Sequence, residues 1–285
     1  MDTNTPVNIT AAEINKLRQQ TGAGMMDCRK ALVESNGDFE AAIDYLRKKG
    51  QKVAALRNDR EAKEGVVIAK TTPDNKTGYI FNLACETDFV SKNAEFVAFA
   101  QSIMDVAVAN QVNSLEELNA AQLDGATVAD RVNDQVAKIG EKISVSRFEK
   151  VEAEGVAAYI HGAYRMGVLV GINKNTEPSL EAGRDVAMQI AAMNPVAVDA
   201  TSVPADVVER ERAVVTEQIS ADPKMAGKPA DMIAKIAEGK LNAFFKEQTL
   251  VAQAYVKDSS KTVSDYLKSV DPSLTVVSFK RVALG

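Results

Sequence analysis

Tryptophan is absent from the 285 residues, aromatic side chains make up only 5%, and there is a single histidine, His161. Cysteine is scarce too. Cys28 and Cys85 stand far apart and form no CxxC pair, and with one histidine they supply too few ligands for a zinc site. Reduced thiols in a cytoplasmic protein are the simplest expectation. No apolar run approaches the ~18 residues that cross a membrane, and the opening MDTNTPVNIT is neither basic nor apolar, so no signal or transit peptide is expected. An excess of positive charge is also missing. The formal net charge is -5, so no global field draws nucleic acid, and aromatic platforms for bases are few. Phosphate-cradling loops are lacking: no GxxxxGK[ST] occurs, TGAGMMDCRK has the glycines without the spacing, and no dinucleotide fingerprint is present. An acyl-transfer triad would have His161 as its only candidate base. Paired carboxylates carry no signal either, because 39 acidic residues make chance pairs unavoidable. No enzymatic chemistry, cofactor or metal is expected, which leaves a protein that acts by touching another protein.

What is present suits a folded chain. Apolar residues make up 46% and charged residues 26%, and the length allows one large domain or two to three smaller ones. The first fifty residues predict three short helices. Thr10 and Glu13 form a capping box, Ile14 and Leu17 face inward, and TGAG at 21–24 stops the first helix. The second helix runs from about Met25 to Ser35 with Cys28, Ala31 and Leu32 on one face, and Asn36-Gly37 ends it. Asp38 caps the third, where Phe39, Ala42, Ile43 and Leu46 recur at helical spacing. KKGQKVAALRNDREAKE then reads as a linker or an exposed helix.

Beyond it lies an internal repeat. EGVVIAKTTPDNKTGYIFNLACETD begins at Glu64 and EGVAAYIHGAYRMGVLVGINKNTEP at Glu154. Each copy offers a strand, a turn, a second strand, then threonine followed by an acidic residue. Each leads into an alanine-rich helical pattern, Phe96-Val97-Phe99-Ile103 in one and Val186-Ala187-Ile190-Ala191 in the other. Two hairpin-plus-helix units predict two α+β subdomains. Residues 203 to 248 carry narrower stripes, Val208, Val215 and Ile219, then Ile233, Ile236, Leu241 and Phe244, separated by ADPKMAGKP. They predict a projecting antiparallel helical hairpin. The tail predicts one more helix and an edge strand. The expected fold class is therefore α+β, with a three-helix module and linker at 1–55, subdomains at 56–150 and 151–285, and the hairpin inserted at about 203–248.

Exposed apolar side chains are the remaining functional signal. Met25 and Met26, adjacent after a glycine turn, cannot both face a small core, and methionine suits adaptable contact surfaces. Thr87-Asp88-Phe89-Val90 sets an aromatic beside a carboxylate between a strand and a helix. Two readings fit: Asp88 caps a helix and Phe89 packs beneath it, or Phe89 faces outward as a contact residue. Phe89 is in phase with Phe96, which favours the first; Lys92 and Asn93 interrupt the stripe, and Asn93 is the better cap, which favours the second. His161 sits within the second hairpin, either as a hydrogen-bonded structural residue or as a contact.

At these positions the chain resembles the elongation factor Ts family. LRQQTGAGMMDCRKALVESNGDFEAAIDYLRKKG is similar to the family's N-terminal signature, with Arg29 where lysine is usual. CETDFVSKNAEF, AKIGEKI, IHGAYRMGVLV, GKPADMIAKIAEGKLNAFF and SKTV follow in the family's order. The resemblance implies a ubiquitin-associated-like helical module, two α+β core subdomains and an inserted hairpin. It further implies a guanine-nucleotide exchange factor whose partner, elongation factor Tu, carries the GDP and magnesium, with no direct contact to nucleic acid or membrane. Thr87, Asp88, Phe89 and Val90 would form the segment that dislodges magnesium, supported by Ile139 and Gly140. Met25 and Met26 would dock the N-terminal module, and His161 would meet a distal partner domain. Two departures stand out. Gln253-Ala254-Tyr255 replaces the family's frequent Gln-Pro-Phe. Some members also continue past the last strand, so contacts of such an extension are not expected from SFKRVALG. Competing readings are a peptide-binding adaptor using Met25-Met26 and an enzyme using His161.

Overall fold

The computed structural model describes residues 9–57, 59–225 and 228–285. Most of the opening MDTNTPVNIT, and Ala226-Gly227 within the ADPKMAGKP turn, lie outside the described residues. Three helices come first: α1 (Ala11–Thr21), α2 (Met25–Glu34) and α3 (Phe39–Leu56). The expected capping box of Thr10 and Glu13 starts α1, and Gly22, at φ +69°, ends it in the left-handed region that glycine enters without strain. Helix α2 stops one residue before the predicted Ser35, which is its C-cap. Asp38 accepts from the Ala41 N–H (2.9 Å) at the start of α3. Leu17, Cys28, Ala31, Leu32, Ala42 and Leu46 close a small core. The charged stretch after Leu46 is more than a linker. Helix α3 continues into it as far as Leu56, and Gly50 packs so tightly on the next part of the chain that a Cβ there would lie 2.9 Å from both the Ala137 Cβ and the Asn133 carbonyl oxygen.

Strands β1 (Glu64–Thr71) and β2 (Thr77–Cys85) form an antiparallel hairpin. It is followed by a one-turn helix α4 (Asp88–Ser91), α5 (Ala94–Ala109) and α6 (Leu115–Ala120). A two-residue ribbon, β3 (Gln122–Leu123) with β4 (Ala126–Thr127), leads into α7 (Val128–Ile139), the helix that receives α3. Strand β5 (Ser144–Glu152) then returns to β2, giving the order β1-β2-β5. The second copy repeats the plan. Strands β6 (Gly155–His161) and β7 (Met166–Ile172) pair as a hairpin, α8 (Glu177–Met193) covers it, and the last strand, β10 (Val276–Ala283), pairs with β7 at the sheet edge. Between them come α9 (Ala205–Ala221), α10 (Ala230–Gln248), a ribbon of β8 (Ala254–Tyr255) and β9 (Asp258–Thr262), and α11 (Val263–Val270).

Period-two alternation sends the two faces of each strand to different cores. In the first sheet, Val66, Ile68, Tyr79, Phe81 and Leu83 meet Phe96, Ala100, Ile103 and Met104 of α5. In the second, Val168, Val170 and Ile172 meet Val186, Ala187 and Ile190 of α8. The opposite faces meet each other, with Val67 and Ile80 from one sheet against Val156, Leu169 and Val282 from the other. Gly78 and Gly167 permit this approach. A Cβ on Gly78 would lie 2.8 Å from Val156 Cγ1, and one on Gly167 would lie 2.8 Å from Ile80 Cδ1. The α9–α10 hairpin is thin: Val215, Ile219 and Leu241 are buried, while Val208, Ile233, Ile236 and Phe244 are only half-buried. The mixed α+β class, the N-terminal helices and the small antiparallel sheets agree with the expectation from sequence.

Candidate protein interface

The two repeats diverge at their Thr-acidic steps. Thr176 is the N-cap of α8, so the second hairpin runs straight into its long helix. Thr87 instead caps the one-turn α4, which ends at Lys92, and the long helix α5 starts afresh with Asn93 accepting from the Glu95 N–H (2.8 Å). The inserted turn points Phe89 outward. Its side chain is 87% exposed, whereas Val90 next to it packs against the first core. Of the two readings left open by the sequence, packing of Phe89 beneath a helix is overturned. Burying a phenylalanine contributes about 2–3 kcal/mol, and that contribution is forgone in the free chain. Asp88 is the first residue of α4, with Thr87 rather than Asp88 as its N-cap; its carboxylate receives the Lys92 ammonium at 2.6 Å. That bond, and then the charge of Lys92, hold the Asp88 carboxyl below its ordinary range.

So short a helix does not hold itself. Side chains from elsewhere fix it. Helix α7 ends at Gly140, whose φ of +79° suits glycine, with no heavy atom within 4 Å of where a Cβ would stand. The next residue, Glu141, reaches back to the start of α4. Its Oε2 accepts the N–H groups of Glu86 (3.1 Å) and Thr87 (3.0 Å), and its Oε1 accepts the Thr87 hydroxyl (2.6 Å). Glu86 reciprocates, its Oε1 accepting the Lys142 N–H at 2.6 Å. Arg57, just past the end of α3, donates to the same Glu86 carboxylate (2.7 Å), and Arg60 donates to its other oxygen (3.1 Å). Burial raises the Glu86 pKa, but the Lys142 amide and the two guanidinium groups more than offset it, holding the carboxyl down at about 2. Beneath them, burial and then the charge of Glu141 push the Cys85 thiol up to about 12, so it is a packed side chain rather than a nucleophile.

Met25 and Met26 open α2 and are 54% and 70% exposed. Lys138 bridges the predicted segments: its stem lies against Gly22, just before the two methionines, and its ammonium pairs with Glu95 at the head of α5 (3.0 Å). Near the Ile139-Gly140 end of α7, Lys138 thus meets the glycine turn before Met25, while Glu141 bonds the start of the Thr87–Val90 turn. His161 stands apart from them. It is exposed at the end of β6 with its Nδ1 2.9 Å from the Tyr159 hydroxyl, and no hydrogen bond among the described residues joins it to the Thr87–Val90 turn. Sequence reasoning missed Arg57, Arg60, Glu86 and Glu141. Glu86 and Glu141 adjoin residues it did single out, but nothing in a linear reading pairs positions so far apart.

These features define an α+β chain with a helical module, two face-to-face sheets, a projecting helical hairpin and a clamped, outward-facing aromatic turn. The chain belongs to the elongation factor Ts family of translation elongation factors: that family, described as Elongation factor TS, matches residues 86–285. The chain is 50% identical to the elongation factor Ts of Cytophaga hutchinsonii over 280 residues, covering 97% of this chain and 99% of that one. Identity is 49% with that of Flavobacterium psychrophilum and 48% with that of Christiangramia forsetii, each over 277 residues with the same coverage. The matched family region contains Thr87–Val90, Ile139, Gly140 and His161, while Met25 and Met26 precede it. No helix among the described residues is long and apolar enough to cross a membrane.

Proposed function

We propose that this chain is a guanine-nucleotide exchange factor that binds elongation factor Tu carrying GDP, promotes GDP release by disturbing the partner's magnesium and phosphate site, and stabilises the nucleotide-free partner until GTP binds. The observation that carries the reading is Phe89: a large apolar side chain, 87% exposed, on a turn held by bonds rather than by its own burial. Phe89 wedges into the partner's nucleotide-binding domain, with Asp88 beside it fixing or repelling nearby groups. Magnesium neutralises phosphate charge, so displacing it weakens GDP. Ile139 and Gly140 support the wedge, Met25 and Met26 dock the N-terminal module, and His161 with Tyr159 meets a second partner domain.

The energetics are those of two ligands competing through one protein. If the chain binds the nucleotide-free partner more tightly than the GDP-bound one, GDP weakens the chain's binding by the same ratio. Burying Phe89 only in the nucleotide-free complex supplies about 2–3 kcal/mol, or roughly 30- to 150-fold. No bond is made or broken in the partner's nucleotide. We also propose a division of labour along the chain: a helical docking unit up to about residue 55, an exchange-loop unit at 56–150, and a unit at 151–285 bearing the hairpin of about 203–248.

The test is release of fluorescent GDP from elongation factor Tu of the same organism, with the wild-type chain and with Phe89→Ala. Rapid release by the wild type and a marked loss in the variant support the wedge. Equal rates would remove Phe89 from the mechanism and leave exchange in place. No acceleration by the wild type would overturn the exchange reading itself.

A further inference from the structure

Residues 86–88 and 140–142 are joined by a reciprocal arrangement that goes beyond ordinary loop packing. The Glu141 carboxylate takes three donors from the start of the turn, the Glu86 and Thr87 amides and the Thr87 hydroxyl, at 2.6–3.1 Å. The Glu86 carboxylate takes the Lys142 amide and, from the far side, Arg57 and Arg60. Each strand of the chain thus binds the other's backbone through its own carboxylate. The equivalent step in the second repeat, at Thr176, lacks an inserted turn and passes directly into a long helix. In a helix of four residues, none fully buried, that Val90 anchors inward, these bonds fix where the turn starts and so help set the direction of Phe89.

We propose that Glu141 and Glu86 are positioning residues for nucleotide exchange: they pre-organise the turn so that Phe89 is presented in one direction before the partner arrives, and Arg57 ties that turn to the end of α3. This rests on the exchange reading above and deepens it. A side chain presented from a mobile turn loses part of its contribution to ordering on binding. A displacement of about 1 Å at a working group commonly costs on the order of a hundredfold in rate. The clamp removes that ordering from the binding step. Because Arg57 closes it from the α3 side, the docking module and the wedge share one rigid support.

The experiment uses the full chain and its elongation factor Tu loaded with fluorescent GDP, with release followed across a range of factor concentrations. Glu141→Ala is expected to lower the saturating rate by about tenfold or more while the half-saturating concentration changes by less than about threefold. Glu141→Gln, which keeps an acceptor oxygen for the two amides and can donate to the Thr87 hydroxyl, is expected to restore most of the rate. In a Phe89→Ala background, Glu141→Ala is expected to cost nothing further, since it acts through Phe89. Hydrogen exchange supplies the second readout: the amides of Glu86 and Thr87 are slow in the wild type and fast in Glu141→Ala.

A wild-type saturating rate for Glu141→Ala, with Phe89→Ala impaired, would sink the clamp and spare the wedge. Equal loss in the Ala and Gln variants would assign Glu141 an electrostatic role toward the partner and also overturn positioning. Additive loss in the double variant would do the same. A normal rate for Phe89→Ala would overturn the wedge and the clamp together.

Discussion

Phe89 is the residue at which folding and the proposed function part company. Because it is almost wholly exposed, replacing it by alanine removes no packing, and stability is expected to change by less than about 0.5 kcal/mol. Thermal unfolding of Phe89→Ala should superimpose on the wild type even where GDP release is impaired; a large fall in melting temperature would mean that the side chain supports the fold after all. Glu86 makes the opposite case, with a pH dependence of definite sign. Its carboxyl falls from an ordinary 4.5 to about 2 in the folded chain, so the unfolded chain takes up the proton first as the pH drops. The stabilisation is complete above about 4.5 and is lost as the pH falls toward 2. Glu86→Gln lacks this ionisation. Denaturant titrations should find the wild type's advantage over Glu86→Gln shrinking steadily through that window, and a constant difference would show that the carboxylate is not the titrating group.

At the scale of elements, the contact of α3 with α7 decides how the N-terminal helices sit on the rest of the chain. Glycine inside a helix costs about 1 kcal/mol relative to alanine, so on propensity alone Gly50→Ala would stabilise α3. The packing argues the other way. The new Cβ would lie 2.9 Å from the Asn133 carbonyl oxygen, a backbone atom that cannot swing aside. Overpacking of this kind costs about 1–3 kcal/mol, which outweighs the propensity gain. Gly50→Ala is therefore expected to lower stability in chemical denaturation and to speed proteolysis near Arg57; a stabilised variant would mean that the two helices separate at no cost. The helical hairpin presents a contrasting balance, since Val215, Ile219 and Leu241 are its only buried apolar residues among those described in α9 and α10.

The molecule as a whole is joined by two sheets that turn one face to their own helices and the other face to each other. Leu169, fully buried between the sheets, belongs to the shared layer. Leu169→Ala is expected to cost about 2–5 kcal/mol. Calorimetry should find the loss in a transition common to both sheets; if only the second half of the chain melted earlier, the shared layer would not couple them. The same layer explains why strand β2 reads as an almost unbroken apolar run through Tyr79, Ile80, Phe81 and Leu83 rather than as a clean alternation. Both of its faces are covered.

Local features were legible in the sequence because their causes are local. The Thr10–Glu13 box, the glycine stop at 22, the cap at Asn93 and the two-copy hairpin plan each depend on residues a few positions apart. Thr87–Val90 likewise stood out, as an aromatic beside a carboxylate between a strand and a helix, with Lys92 and Asn93 interrupting the helical stripe. What the linear order left open was where Phe89 points, because helical phase and the better cap at Asn93 argued in opposite directions. Only the tertiary structure decided it: Glu141, supplied from beyond the end of α7, bonds the start of α4, and Val90 takes the inward place against the core. The continuation of α3 onto α7 was hidden for the same reason. Periodicity describes the face a helix needs to bury, but the surface that covers it comes from distant parts of the chain, and packing alone brings them together.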